Sequence, residues 1–216
     1  MSADLSVYLV TDAAVAASRG REVVEVVAAA AAGGVTAVQV REKEAPAAAF
    51  LDTVIAVSEV LPEHVALIVN DRVDVFLAAR ARGARVTGVH LGQTDLPPSV
   101  VRELVGPEAL IGLSAATPAE LAAAEQDPGR VDYVGIGVLR ATTTKPDAPP
   151  ALGVDGFGQL ARSSSLPAVA IGGITSADLP ELRAAGAAGA AVVSSICGAA
   201  DPRAAAREHA DAWGLA

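Results

Sequence analysis

The chain alternates between short runs rich in β-branched residues and longer stretches with helical periodicity, and this alternation constrains its fold more than any other feature. The eight strand-like runs cover residues 7–10, 37–40, 66–69, 88–91, 110–113, 133–136, 168–171 and 190–193. Strands that alternate with helices form a parallel sheet through right-handed crossovers. Eight units favour a closed (β/α)8 TIM barrel over an open doubly wound sheet. Because no linker interrupts the 216 residues, we expect a single α/β domain spanning 1–216.

Composition and charge exclude several classes of partner. The formal net charge of -9 argues against a general nucleic-acid or anionic-membrane surface, since both need a cationic stripe. No apolar segment approaches the roughly 20 residues of a membrane span, and the amino terminus does not resemble a secretory signal. We therefore expect a cytoplasmic protein without nucleic-acid or membrane partners, and a homo-oligomer is compatible with the sequence. The single cysteine, Cys197, is expected to be a small buried residue.

Three donor side chains follow the second predicted strand. Gln39, Arg41 and Lys43 alternate with other residues, so an extended backbone would project them to one side. Three donors on one face can hold an anion. The alternative is that these side chains simply lie at a solvated strand end. Against it, Gln39 would then be an amide that points into the barrel without a binding role.

Two aspartates follow the third and fourth predicted strands. Asp71 and Asp95 are candidate ligands for Mg²⁺, which prefers one or two carboxylates completed by substrate phosphate and water. The alternative is that both cap the helices that follow them. His90 precedes Asp95 within a predicted strand, and we interpret it as a hydrogen-bonded barrel histidine rather than a base.

Glycines and hydroxyl groups follow the last two strands, where barrels often bind a phosphate. Gly172 and Gly173 permit close approach of an anion to the backbone, although a glycine pair is equally typical of a tight turn. Ser194 and Ser195 follow strand eight. The longest irregular stretch, residues 140–153, has the length of a functional loop.

These motifs, taken in order, resemble thiamine phosphate synthase over nearly the whole chain. The matching segments are Val38-Gln39-Val40-Arg41-Glu42-Lys43, Val69-Asn70-Asp71-Arg72-Val73, Gly88-Val89-His90-Leu91-Gly92-Gln93-Thr94-Asp95, Ile111-Gly112-Leu113-Ser114, Ala141-Thr142-Thr143-Thr144-Lys145-Pro146-Asp147 and Ala170-Ile171-Gly172-Gly173-Ile174. Each motif is modest by itself. Their ordered combination is highly specific.

The resemblance implies a (β/α)8 transferase that joins hydroxymethylpyrimidine diphosphate to hydroxyethylthiazole phosphate with the assistance of Mg²⁺. It implies Asp71 and Asp95 as the metal ligands. The residues implied to hold the pyrimidine diphosphate are Gln39, Arg41, Lys43, Asn70 and Lys145, and Ser114 resembles the serine near the pyrimidine. Of these, the expected catalytic residues are Arg41, Lys43, Ser114 and Lys145. The residues implied to hold the thiazole phosphate are Thr142, Thr144, Gly173, Val193 and Ser194.

The chain departs from the family pattern in three places. Val138-Leu139-Arg140 stands where the family usually has Pro-Val-Phe, and Ala115-Ala116 replaces a segment that commonly contains histidine. Residues 79–87 form a longer, arginine-rich connection, which we expect to face away from the site. Two alternative functions stay open: a thiazole tautomerase on the same barrel, which needs no diphosphate-binding magnesium site, and a noncatalytic protein that binds phosphate ligands.

Overall fold

The computed structural model describes residues 3–140 and 151–215 and contains a closed eight-stranded parallel barrel. The strands are β1 (Val7–Val10), β2 (Ala37–Val40), β3 (Ala66–Asn70), β4 (Gly88–Leu91), β5 (Leu110–Ser114), β6 (Tyr133–Gly137), β7 (Ala168–Ile171) and β8 (Gly189–Val192). Each strand pairs with its sequence neighbours, and β1 pairs with β8 to close the barrel. The predicted fold class is confirmed, and the strand bounds agree with the sequence to within one residue.

Helices follow the strands. They are α1 (Ala13–Ala17), α2 (Val23–Gly33), α3 (Ala47–Val60), α4 (Val73–Ala81), α5 (Pro98–Val105), α6 (Pro118–Gln126), α7 (Gly153–Arg162), α8 (Leu179–Ala184), α9 (Ser194–Cys197) and α10 (Pro202–Trp213), with a 3-10 turn at Ser176–Asp178. Proline is the first residue of α5, α6 and α10, where its fixed φ favours helix initiation and its missing N–H costs nothing. No helix in the described part of the chain is long and apolar enough to cross a membrane.

Strand alternation divides the core into two layers. Leu9, Val38, Val69 and other outward-facing residues pack against the helices in one large cluster. The inward-facing residues, which include Tyr8 and Tyr133, form a second cluster inside the barrel. Because successive side chains of a strand point to opposite faces, a polar residue at an inward position lies in the barrel interior or at its mouth. The candidate site is built from such positions.

Candidate active site at the C-terminal mouth of the barrel

The two predicted metal ligands lie together at the C-terminal end of neighbouring strands. The carboxyl groups of Asp71, after β3, and Asp95, after β4, are within hydrogen-bonding distance of each other. Asp71 is exposed as a residue, yet desolvation of its carboxyl raises its pKa to about 6, and the charge of Asp95 adds to this increase. The side chain of Asn70 and the charge of Arg41 act in the opposite direction. The pair is therefore a compact site with unbalanced negative charge.

Helix capping does not account for either aspartate. Helix α4 begins after Arg72, and α5 begins after Pro97, so neither acid occupies the capping position. The Asp95 carboxylate instead accepts a hydrogen bond at 2.6 Å from the amide of Gly92, which precedes it in the same loop. The capping interpretation is wrong, because the loop after each strand contains an additional residue or turn before the helix starts.

The backbone at Asp71 has a left-handed conformation with φ of 59°, which is uncommon for residues other than glycine. Two hydrogen bonds hold it there. The Asp71 amide donates to the carbonyl of His90 at 2.8 Å, and its own carbonyl accepts from Val73 at 3.1 Å. Strained backbone of this kind concentrates at functional sites. Here it turns the chain directly after β3, beside the loop that carries Asp95.

The three predicted anion-binding side chains have different environments. Gln39 is buried in the barrel interior, where its amide nitrogen donates to the hydroxyl of Tyr8 at 2.7 Å. This excludes a solvated strand end for Gln39. Strand β2 ends at Val40, so Arg41 and Lys43 lie in the following loop, where strand alternation no longer sets their direction. Arg41 is close enough to Asp71 to lower its pKa, whereas Lys43 is exposed to solvent.

Ser114 ends β5 at the mouth of the barrel and is mostly buried. Its hydroxyl lies 3.0 Å from Nε2 of His90, and its carbonyl accepts a bond from the Gln93 amide at 2.6 Å. His90 also lies 2.9 Å, through Nδ1, from the hydroxyl of Tyr133. Both ring nitrogens are thus occupied, which confirms the interpretation of His90 as a hydrogen-bonded barrel histidine. Desolvation lowers its pKa to about 4, so the ring is neutral near pH 7.

The ends of β7 and β8 carry the remaining candidate residues. Gly172 and Gly173 have φ values of 102° and 66°, and a Cβ on Gly172 would lie 2.4 Å from a methyl carbon of Val138. Val193 directly precedes the short helix α9, and Ser194 is its first residue. The amide groups at the start of a helix have no acceptor within it. The remaining predicted residues, Thr142, Thr144 and Lys145, lie outside the described residues.

Arg140, one of the residues that depart from the family pattern, forms an ion pair with Asp178. The guanidinium of Arg140 donates to both carboxylate oxygens of Asp178 at 2.5 and 2.6 Å, and its backbone amide donates to Gly172 at 3.0 Å. Asp178 also accepts from the backbone amide and the hydroxyl of Thr175. At the position where the family usually has an aromatic residue, a bidentate ion pair therefore joins the segment after β6 to the 3-10 turn after β7.

Sequence reasoning missed three residues around the site. Tyr8 and Tyr133 lie in the barrel interior and bridge Gln39 to His90, and Asp178 pairs with Arg140. The tyrosines carried one usable signal: they are the only two in the chain, and both occupy strands. Because alternate residues of a strand face the barrel interior, this alternation could have placed both tyrosines on the inward face together with Gln39 and His90.

Comparison with known proteins gives consistent matches. Residues 7–196 match the family model described as thiamine monophosphate synthase. The chain is 47% identical to the thiamine-phosphate synthase of Azorhizobium caulinodans over 205 residues, which covers 94% of this chain and 92% of the relative. It is 46% identical to the thiamine-phosphate synthase of Vibrio campbellii, with 83% and 85% of the two chains covered.

Solved structures agree with the sequence matches. The thiamine phosphate pyrophosphorylase from Pyrococcus furiosus superposes with a TM-score of 0.84 at 33% identity, over 98% of this chain and 96% of that one. A 3-hexulose-6-phosphate synthase superposes with a TM-score of 0.68 at 18% identity, which shows a shared fold alone. The extent of the family match, the identity to its curated members and the barrel geometry lead to one conclusion. The chain belongs to the thiamine monophosphate synthase family.

Proposed function

We propose that the protein condenses hydroxymethylpyrimidine diphosphate with hydroxyethylthiazole phosphate, giving thiamine phosphate and diphosphate. The observation that carries this proposal is the juxtaposition of Asp71 and Asp95 at the barrel mouth, with the charge of Arg41 close enough to lower the pKa of Asp71. A carboxylate pair next to a cation suits a diphosphate that binds together with a divalent metal ion. Membership of the family supports the same reaction.

The acid pair fits Mg²⁺ by its chemistry. Desolvation raises the pKa of Asp71, and repulsion from the neighbouring Asp95 carboxylate adds to this increase. A dication would relieve the repulsion. The described residues contain no cluster of three or more metal-binding side chains. Two carboxylates, with substrate phosphate and water as further ligands, are typical of Mg²⁺. When bound, the ion would neutralise charge that develops on the departing diphosphate.

The other polar and charged side chains of the site have separate proposed roles in binding and orienting the substrates. Arg41 and Lys43 would hold the diphosphate and offset its charge, since charge-assisted hydrogen bonds are the strong ones. The methylene carbon–oxygen bond breaks with its electron pair moving to diphosphate, and the aminopyrimidine ring delocalises the resulting cation. The thiazole nitrogen then forms the new bond with its lone pair. Because no protein nucleophile takes part, orientation by Asn70 and Ser114 contributes much of the rate.

The thiazole phosphate would bind between the ends of β7 and β8. Gly173, with its positive φ, lets the backbone approach an anion closely, and Val193 and Ser194 follow β8 at the same end of the barrel. Thr142 and Thr144, in the connection that follows β6, are proposed to hold the same phosphate, whereas Lys145 of that connection is proposed to hold the pyrimidine diphosphate.

The acid pair also favours the synthase over the two alternatives. A thiazole tautomerase needs no metal-bound diphosphate, so it would give Asp71 and Asp95 no function. Turnover should be measured with both substrates together and with each alone, in the presence and absence of Mg²⁺. Product formation only with both substrates and Mg²⁺ supports the synthase. Isomerisation of a thiazole substrate alone, or binding without turnover, would support the tautomerase or the binding protein instead.

Replacing Arg41 or Lys43 with Ala is expected to lower kcat/KM for the pyrimidine diphosphate about 10- to 100-fold. The expected size follows from the loss of one charge-assisted bond, worth roughly 1.5 to 3 kcal/mol. Steady-state kinetics at saturating thiazole phosphate measure the effect. Arg82→Ala is the matched control, since this exposed arginine lies at the opposite end of the barrel, after α4. A folded Arg41→Ala, Lys43→Ala double variant with native kinetics would remove both residues from the diphosphate site.

Gly173→Ala should weaken thiazole phosphate binding while leaving pyrimidine diphosphate binding within about twofold. The substitution adds a side chain where φ is 66° and where the proposed phosphate approaches the backbone. Calorimetry with each ligand separately measures the two affinities. Gly83→Ala controls for the backbone cost, because Gly83 has φ of 83°, has open space for a Cβ and lies far from the site. Equal losses for both ligands would indicate a distorted barrel and would argue against a phosphate contact at Gly173.

A further inference from the structure

Five polar side chains form a continuous hydrogen-bonded chain through the barrel interior. It begins with the Gln39 amide nitrogen, 2.7 Å from the Tyr8 hydroxyl. The Tyr8 hydroxyl lies 2.9 Å from that of Tyr133, which lies 2.9 Å from Nδ1 of His90. Nε2 of His90 lies 3.0 Å from the Ser114 hydroxyl. We call these residues the interior relay. It connects two proposed pyrimidine-site residues, Gln39 and Ser114, through Tyr8, Tyr133 and His90, to which the family resemblance gave no role in binding.

The barrel provides the space that the relay occupies. A Cβ on Gly112 would lie 2.1 Å from Cζ of Tyr133 and 2.4 Å from its hydroxyl oxygen, so only glycine leaves room for this phenol. A Cβ on Gly135 would lie 3.2 Å from Cε1 of His90. Tyr8 and Tyr133 are each 1% exposed, and desolvation raises the pKa of both hydroxyls. Both tyrosines are therefore neutral and can each donate one proton.

Counting these protons gives the relay a direction. The Gln39 amide can only donate through nitrogen, so the Tyr8 oxygen accepts this bond and directs its own proton to Tyr133. Tyr133 accepts from Tyr8, and its single proton is then directed to Nδ1 of His90. A neutral His90 that accepts at Nδ1 carries its proton on Nε2 and donates to Ser114. The Ser114 hydroxyl accepts that bond and keeps its own proton for another partner.

We propose that Tyr8, Tyr133 and His90 are positioning residues that fix Ser114 as a hydrogen-bond donor toward the bound substrate. The last step rests on the proposed function, because it takes the substrate to be an aminopyrimidine. The acceptors that such a ring offers are its two ring nitrogens, so Ser114 meets one of them rather than the amino group. In a desolvated site, a heterocycle with N–H at that position would place two donors against each other, which costs binding energy.

The tautomer of His90 tests the relay without any substrate. Nitrogen-15 NMR of the metal-free protein near pH 7 distinguishes a proton on Nε2 from one on Nδ1, and we expect Nε2–H. The signal is identified by its loss in His90→Gln or, if that variant does not fold, by its shift in Tyr133→Phe. Because Tyr133→Phe removes the donor to Nδ1, it should also reduce the preference for the Nε2–H tautomer. Nδ1–H in the native protein would make Nε2 the acceptor of the Ser114 proton and would overturn the proposal.

A double-mutant cycle tests whether the relay acts through Ser114. Tyr133→Phe should lower kcat/KM for the pyrimidine diphosphate about tenfold in the native background but within about twofold in the Ser114→Ala background. A role in packing alone would give the same loss in both backgrounds and would contradict the proposal. His64→Gln, at an exposed histidine, should leave the kinetics unchanged. If the native protein makes no thiamine phosphate, the proposed function fails, and the tautomer still decides the relay.

Discussion

Asp71→Asn and Asp95→Asn should each reduce synthase turnover by on the order of 100-fold or more while the barrel stays folded. An amide supplies a neutral oxygen and cannot balance a divalent ion beside a diphosphate. Each substitution also removes the like-charge repulsion that raises the pKa of Asp71, so the metal-free protein should not lose stability. Turnover as a function of Mg²⁺ concentration is the measurement, with thermal unfolding as the test of folding.

A neighbouring aspartate provides the matched control. Asp74 lies in the first turn of α4 and pairs with Arg72 on the surface, with 62% of its side chain exposed. Asp74→Asn should therefore change turnover less than twofold, since exposed pairs contribute little. Native turnover in both Asp71→Asn and Asp95→Asn, or in the native protein with excess chelator, would overturn the magnesium proposal and favour the alternative functions.

Arg102→Ala should lower the free energy of unfolding by about 3 kcal/mol. This is the largest loss of stability that we expect from replacing one charged residue. The Arg102 side chain is only 11% exposed and donates to the Asp132 carboxylate at 2.9 Å. Its N–H groups also donate to backbone carbonyls in the connections between α5 and β5 and between α6 and β6. These are the carbonyls of Gly106, Pro107, Ala109, Gly129 and Arg130. Truncation would leave these acceptors without donors, and Ala109 and Gly129 are buried residues.

Chemical denaturation measures this loss as a change in the free energy of unfolding. Arg102→Lys should recover only part of it, because an ammonium has three donors and cannot reproduce the planar fork. Arg82→Ala, at an exposed residue, should lie within about 0.5 kcal/mol of the native protein. Full stability in Arg102→Lys would show that charge alone matters, and a loss below about 1 kcal/mol in Arg102→Ala would show that water replaces the guanidinium.

The arginine-rich connection after α4 has a similar structural explanation. Arg80 donates to the carbonyl of Val105 at 2.8 Å and lies over the ring of Phe76. Arg85 donates to the carbonyls of Ser58 and Leu61, at the end of α3. These contacts lie where helices lead into strands, at the opposite end of the barrel from Asp71 and Asp95. The expectation that this segment faces away from the site is confirmed.

The sequence by itself determined the barrel and the end at which the site lies. Strand and helix periodicities are local properties, and parallel strands joined by crossovers place all their C-terminal ends on one side. The order of residues 37–40, 66–70 and 88–91 along the chain is therefore also their order around the barrel. This is why Asp71 and Asp95, on loops after adjacent strands, could be expected to lie close together.

Only the tertiary structure decided the contacts that cross the barrel. The bond between Tyr8 and Tyr133 joins residues 125 positions apart, and Arg140 reaches Asp178 across 38 positions. No local periodicity encodes such pairs, because they depend on side-chain length, on strand register and on the space that Gly112 leaves open. The direction of the hydrogen bond at Ser114 also depends on tertiary structure, because the five residues of the interior relay come from five different strands.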